Sequence, residues 1–323
     1  MPGNPDAACD LVAEAIVDEY LRRDPSSAIR VSVNGGRGAL FISGDVVSTA
    51  DFDVASTARR ALSINGILVE IEPFVSLEPA TPDLSGFFLS GNLLPTSVTG
   101  YATNETPELL PQPVVLARLI AELLDRERTE KEDWFWLGSD AEIVVREMGS
   151  SIVVDLIIEH GGEEVSVART KISELIARAI PSAIVRVNFP GPLSYRGLGN
   201  FMGSSGRSIS LYGDQLPSGS TTIGVHPSHP EKGGMWLARK VARDLVTGGY
   251  ANNALVQMTY EPGEKLPTQI RARSSSGKDL AAFIDPELYR LDRLTNEWAR
   301  PGLSSEAARF GFVGLPGAPW ESM

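Results

Sequence analysis

Cysteine is nearly absent: Cys9 is the only one in 323 residues. That excludes a disulfide framework within the chain and fits a reducing cytoplasm. Lysine is scarce as well. Six of the 29 basic residues are lysines (Lys131, Lys171, Lys232, Lys240, Lys265 and Lys278), and none lies between 172 and 231. The formal net charge of −12 lacks the basic excess that phosphate neutralisation requires, so a nucleic-acid surface is excluded. One small anion held in a local basic pocket is not. Long apolar runs are missing too: the longest, 152–158, is interrupted by Asp155 and is far too short to span a bilayer. The opening residues carry Asp6, Asp10 and Glu14 rather than a basic-then-apolar leader. The expectation is a soluble cytoplasmic protein with no membrane partner.

What is present is ordinary for a globular chain, 42% hydrophobic and 22% charged. Apolar residues at Ala8, Leu11, Val12, Ala15, Ile16 and Tyr20 recur with a helical period, and Asp24-Pro25 stops it. Strands are predicted over 29–33 and 39–42 around the turn 35–38, then a helix over 54–62 and a strand over 67–74. The same order returns: helix 113–124, strands 143–146 and 152–158, helix 172–180, strand 184–188. A third round starts with helix 235–246 and strands 254–260 and 269–273, then becomes less clear. Three rounds of helix, paired strands, helix and strand predict an α+β protein of three related modules. Residues 86–95 read as apolar and turn-like. Residues 190–234 read as a long Gly, Ser and Pro-rich loop of functional character.

Several segments carry a resemblance. They are Gly3-Asn-Pro-Asp6, Gly44-Asp-Val46, Gly100-Tyr-Ala-Thr-Asn-Glu-Thr106 with Leu109-Leu-Pro-Gln-Pro113, Trp136-Leu-Gly-Ser-Asp140, Gly206-Arg207 and Ala318-Pro-Trp-Glu321. In this order, over nearly the whole chain, they resemble the motifs of S-adenosylmethionine synthetases (methionine adenosyltransferases), and the seven residues from Gly100 match letter for letter. The resemblance implies three α+β modules around a pseudo-threefold axis, interleaved as 3–83 plus 197–233 (central), 84–110 plus 234–323 (C-terminal type) and 111–196 (N-terminal type). The family's first strand would precede Met1. The resemblance also implies a homodimer with active sites at the subunit interface. In that family methionine sulfur attacks the 5′ carbon of ATP and expels triphosphate, which cations must hold.

Carried over position by position, Asp6 matches a Mg²⁺ ligand and Glu231 stands where a second metal-binding aspartate sits. A divalent metal, Mg²⁺ or another, is therefore expected. Ser32 stands at the potassium-binding glutamate, so K⁺ is not. Asp140 matches a ribose-contacting aspartate, Arg207 a phosphate-binding arginine, and Asp45 a glutamate that meets the methionine amine. The departures outnumber these. The motif histidine is Asn4 and the lysine after it Ala7. The loop bearing the methionine-binding aspartate is replaced by 92–96, with Leu94 near the aspartate. Glu142, Ser208, Val225 and His229 stand at lysines. Charge-assisted contacts contribute about 1.5–3 kcal/mol each. Losing two from a transition state costs about 3–6 kcal/mol, roughly a hundred- to ten-thousand-fold in rate.

His226-Pro-Ser-His229-Pro-Glu231 gathers metal-ligand and acid–base residue types; a new site and a drifted polar loop both fit it. His160, beside Gly161-Gly162, reads as exposed. The glycine-rich stretches 197–199 and 203–206 lack the lysine of a P-loop. Tyr195 and Phe201 are candidates to stack an adenine, with packing the alternative. The candidate set is His226, His229, Asn4 and Arg207 for catalysis, Asp45, Asp140, Tyr195, Phe201 and Ser208 for substrate, and Asp6 and Glu231 for metal. The leading expectation is a family enzyme acting on an adenosyl substrate, S-adenosylmethionine or a related nucleoside. The alternatives are a non-catalytic partner subunit and residual synthesis from ATP and methionine.

Overall fold

The structure is a computed structural model that describes residues 1–90, 94–209, 222–292 and 298–322. Helix α1 (Pro5–Arg23) starts where Asn4 accepts hydrogen bonds from the amides of Asp6 and Ala7 at 3.1 and 3.4 Å, with Pro5 at its first position. It is buried on nearly every side, so the helical period found only part of its contact surface.

The strands form three sheets. In the first, β1 (Ala28–Gly36) and β2 (Ala39–Val47) form an antiparallel hairpin with Gly36 opposite Ala39. Arg37 and Gly38 both have positive φ, +54° and +91°, as a two-residue turn of matching twist requires. Helix α2 (Val54–Ile64), capped by Asp53, crosses over to β3 (Glu72–Pro79), which runs parallel to β2. Helix α3 (Pro82–Ser90) leads out of this unit, and β4 (Thr96–Thr103) opens another sheet. Helix α4 (Gln112–Glu130) then precedes the hairpin β5 (Ala141–Met148) and β6 (Ser151–Ile158). Helix α5 (Val165–Ala179) crosses to β7 (Ala183–Val187), parallel to β6. The two-residue strand β8 (Gly203–Ser204) pairs with the free edge of β1, giving the order β3-β2-β1-β8. Helix α6 (Met235–Thr247) packs on the sheet β10 (Gln269–Arg273), β9 (Asn253–Tyr260) and β4, and α7 (Leu303–Phe310) lies against α1. The α+β class follows. Among the described residues no helix is long and apolar enough to cross a membrane.

Three elements differ from expectation. The predicted strand 67–74 gives way to β3, five residues later, because the Ile67 amide returns to Leu62 O and closes the last turn of α2. Pro73 and Pro79 are tolerated there because β3 is an edge strand. The turn-like 86–95 is helical as far as Ser90; 91–93 lie outside the described residues. Helix α5 begins at Val165, seven residues before the predicted start, because Ala168 and Ile172 together form its buried stripe against the third sheet.

Gly100 matches the family letter for letter because of packing. A Cβ there would lie 2.2 Å from the backbone of α6 at Arg239. Arg239 in turn donates to Tyr101 O, Glu108 O and Leu109 O and pairs with Glu321. The stretch from Gly100 and the closing Ala318-Pro-Trp-Glu321 therefore meet at one buried guanidinium.

Candidate functional site

Carboxylates four residues apart share one face of a helix, and α1 carries four: Asp6, Asp10, Glu14 and Asp18. Each receives a backbone amide from a distant segment: Ser204 N at 2.9 Å, Gly206 N at 2.6 Å, Gly224 N at 2.8 Å and Ser305 N at 2.9 Å. Asp6 also receives Arg207 Nε at 3.1 Å, Asp10 the Ser208 hydroxyl, and Glu14 the Lys232 ammonium. The ladder fixes where 203–208 and 222–232 lie. Burial pushes the Asp10 carboxyl up to about 7 despite its two donors, and it raises Glu14 and Asp18.

Two cavities flank the 203–208 segment. The first, about 290 Å³, lies between the start of α1, α4, β5 and α7. Asn4, Ala7, Glu142 and Ser208 all line it, opposite the apolar Val114, Ala117, Ile143 and Phe310. Positions where the resemblance implies a histidine and three lysines thus converge on one space that no lysine lines among the described residues. Its two arginines have commitments: Arg118 to the carbonyls of Phe310 and Val313, Arg309 to Asp125 at 2.7 Å. The second cavity, about 350 Å³, is lined by Arg30, Ser32, Ser204, Ser205, Gly206 and Arg207 with Ile223 and Val225. Arg30 Nη2 pairs with Glu231 Oε1 at 2.7 Å.

Asn4 therefore lines the first cavity while its oxygen caps α1. Ser208 lines it while its hydroxyl is held by Asp10. Arg207 lines the second cavity. Asp6 and Glu231 are each paired with an arginine. Asp140 is fully buried and receives Arg196 Nε at 2.6 Å and Gly197 N at 3.0 Å; burial is the largest influence on it and raises its pKa. Glu142, which stands at a lysine position of the family, is also paired with Arg196, at 3.0 Å. Asp45 sits opposite Arg30 in the β1–β2 ladder. Tyr195 and Phe201 are exposed, 68% and 48%, and line neither cavity.

His226 and His229 line neither cavity either. The segment bearing them is stitched to β1 by Val31 N to Gly224 O and His226 N to Ile29 O. His226 Nδ1 accepts the Ser228 amide at 2.9 Å, which leaves the ring proton on Nε2. Burial, then the Lys232 charge, pushes His226 down to about 4, and burial holds His229 well below its usual value. Both rings are neutral and enclosed. His160, read as exposed, is buried: Nδ1 donates to Glu163 O at 2.7 Å and Nε2 accepts the Leu193 amide at 2.9 Å. The turn His160–Glu163 and the segment at Leu193 together enclose the ring.

A divalent cation needs several carboxylate or carbonyl oxygens facing one point. Among the described residues there is no group of three or more His, Cys, Asp or Glu side chains able to hold a metal. The donor set of the described residues does not fit such an ion.

Arg30 and Arg196 were missed. Arg30 was legible, because β1 alternates apolar Ile29, Val31 and Val33 with polar Arg30, Ser32 and Asn34. Arg196 gives no local signal; it meets Asp140 across 56 positions of chain.

Sequence profiles of the S-adenosylmethionine synthetase N-terminal and central domains match residues 1–70 and 96–189. The chain belongs to the S-adenosylmethionine synthetase family. An S-adenosylmethionine synthase of Aquifex aeolicus (strain VF5) is 28% identical over 354 residues, covering 99% of this chain and 94% of the relative. That of Deinococcus deserti is 25% identical over 378 residues, covering 99% and 94%. In fold, the chain is similar to an unusual S-adenosylmethionine synthetase from Campylobacter jejuni, with a TM-score of 0.83, 18% identity and coverage of 99% and 95%.

Proposed function

We propose that this S-adenosylmethionine synthetase-family chain is an enzyme acting on an adenosyl compound with little or no triphosphate, S-adenosylmethionine or a related nucleoside. The observation that carries the reading is the convergence of Asn4, Ala7, Glu142 and Ser208 on one cavity whose remaining wall is largely apolar. A polyphosphate needs several cations arranged around it, and among the described residues no lysine lines either cavity. Apolar walls with a few polar groups suit a nucleoside or sulfonium ligand better. Asn4, Ser208 and Glu142, with Arg118 and Arg309, are the polar side chains that reach it.

The chain acts as a homodimer in this reading. Phe41 and Phe74 support that part: their rings stack at 5.2 Å and both are about half exposed, more apolar surface than one sheet face usually leaves to water.

Pure protein incubated with ATP and methionine, and separately with S-adenosylmethionine, tests the proposal. Turnover only in the second mixture is expected. Adenosylmethionine formed in the first would restore ordinary synthesis. Silence in both, with a longer homologue co-purifying from the source cell, would favour the partner-subunit reading.

A further inference from the structure

We propose that Arg30 and Arg207 are built-in cations that replace a divalent ion in the second cavity, so that one compact oxyanion of the substrate binds there without metal. The inference rests on the proposed function only in taking the ligand of the first cavity as the substrate, whose oxyanion would reach the second cavity on the other side of 203–208.

A metal and a guanidinium compete for the same carboxylate lone pairs. Asp6 gives one oxygen to Ser204 N and the other to Arg207 Nε. Glu231 gives Oε1 to Arg30 Nη2 at 2.7 Å. A divalent ion reaching either carboxylate would have to displace an arginine or sit against its positive charge. Both arginines face the same space of about 350 Å³, together with the hydroxyl-bearing Ser32, Ser204 and Ser205. Guanidinium forks match the oxygens of carboxylates and phosphates, and hydroxyls supply further donors. Arg30 is the distinguishing residue. It projects from the polar face of β1, two positions before Ser32, and its segment is fixed by the Arg30–Val225 bridge. With two guanidiniums already neutralised by two carboxylates, the cavity offers one oxyanion directed N–H and O–H donors rather than net positive charge, too little for three linked phosphates.

Metal-stripped full-length protein is titrated with orthophosphate in EDTA and again with Mg²⁺, following both heat and melting temperature. Butyrate in a parallel titration distinguishes a planar carboxylate from a tetrahedral anion. Manganese uptake by the wild type is read from the loss of its free-ion spin resonance signal. The expected result is oxyanion binding of equal affinity with and without Mg²⁺ and no saturable manganese uptake. Arg30→Ala should weaken binding about tenfold or more, and Arg30→Lys should recover part of it at unchanged ligand-free melting temperature. Binding of neither anion, binding that appears only with Mg²⁺, saturable manganese uptake, or an Arg30→Ala protein with wild-type affinity would overturn the inference. None of these readouts uses turnover, so inactivity toward S-adenosylmethionine sinks the proposed function without touching this result.

Discussion

Helix α1 carries two ion pairs two turns apart that share chemistry and differ in surroundings. Glu14 and Lys232 are both fully buried. Asp6 is mostly enclosed, but the Arg207 side chain is 62% exposed and borders a cavity. Removing one partner of the buried pair strands a charge in a low dielectric, whereas water screens the outer pair. The inner pair is therefore a lock between α1 and the helical turn 230–234 that leads into α6. The outer pair is a poised surface that a ligand can rearrange at small cost.

The largest effect should come from the lock. Lys232→Met is expected to lose about 3–5 kcal/mol in urea unfolding, and a double Glu14→Leu, Lys232→Met protein should regain much of it. A loss below about 1 kcal/mol would erase the distinction drawn here.

The pH dependence sharpens it. Asp10 has a folded pKa near 7 against an ordinary value of 3.8. The folded state therefore binds more protons than the unfolded chain, and Asp10's contribution is complete at acid pH and lost as pH rises through about 7. That contribution is at most about 4 kcal/mol. Stability measured from acid to neutral pH should show Asp10→Asn freed of this downward slope. His226 acts in the opposite sense. Its folded value near 4 lies below 6.5, so its contribution, at most about 3 kcal/mol, is present above 6.5 and is lost as pH falls toward 4. His226→Gln should flatten the acid limb. If both variants keep the wild-type profile, neither group is as enclosed as the packing indicates.

At the outer pair, Arg207→Ala should change unfolding free energy by less than about 1 kcal/mol while weakening orthophosphate binding in calorimetry. The smallest effects belong to Tyr195→Ala and Phe201→Ala, each expected within about 0.5 kcal/mol of wild type. A marked loss of ligand affinity in either would return them to the site.

Much of the fold was legible. Periods of two and 3.6 residues marked both hairpins and their crossover helices, because each of those elements buries one regular face. The strand expected at 67–74 failed for a reason of the same kind: its apolar residues were claimed first by the cap of α2. The candidate site was legible only in part. Asp6, Arg207, Asn4 and Ser208 do come together around 203–208, while the paired histidines, which sequence pattern made prominent, are enclosed beside β1.

Sequence alone determined that the segment from 172 to 231 offers a polyphosphate no ammonium group of its own, because it contains no lysine. Only tertiary structure decided which charges remain available, since a carboxylate four positions from the next can end as a metal ligand, a helix lock or half of an ion pair. Burial and the arrival of Arg30, Arg196 and Lys232 from distant segments made that choice, and no local pattern encodes it.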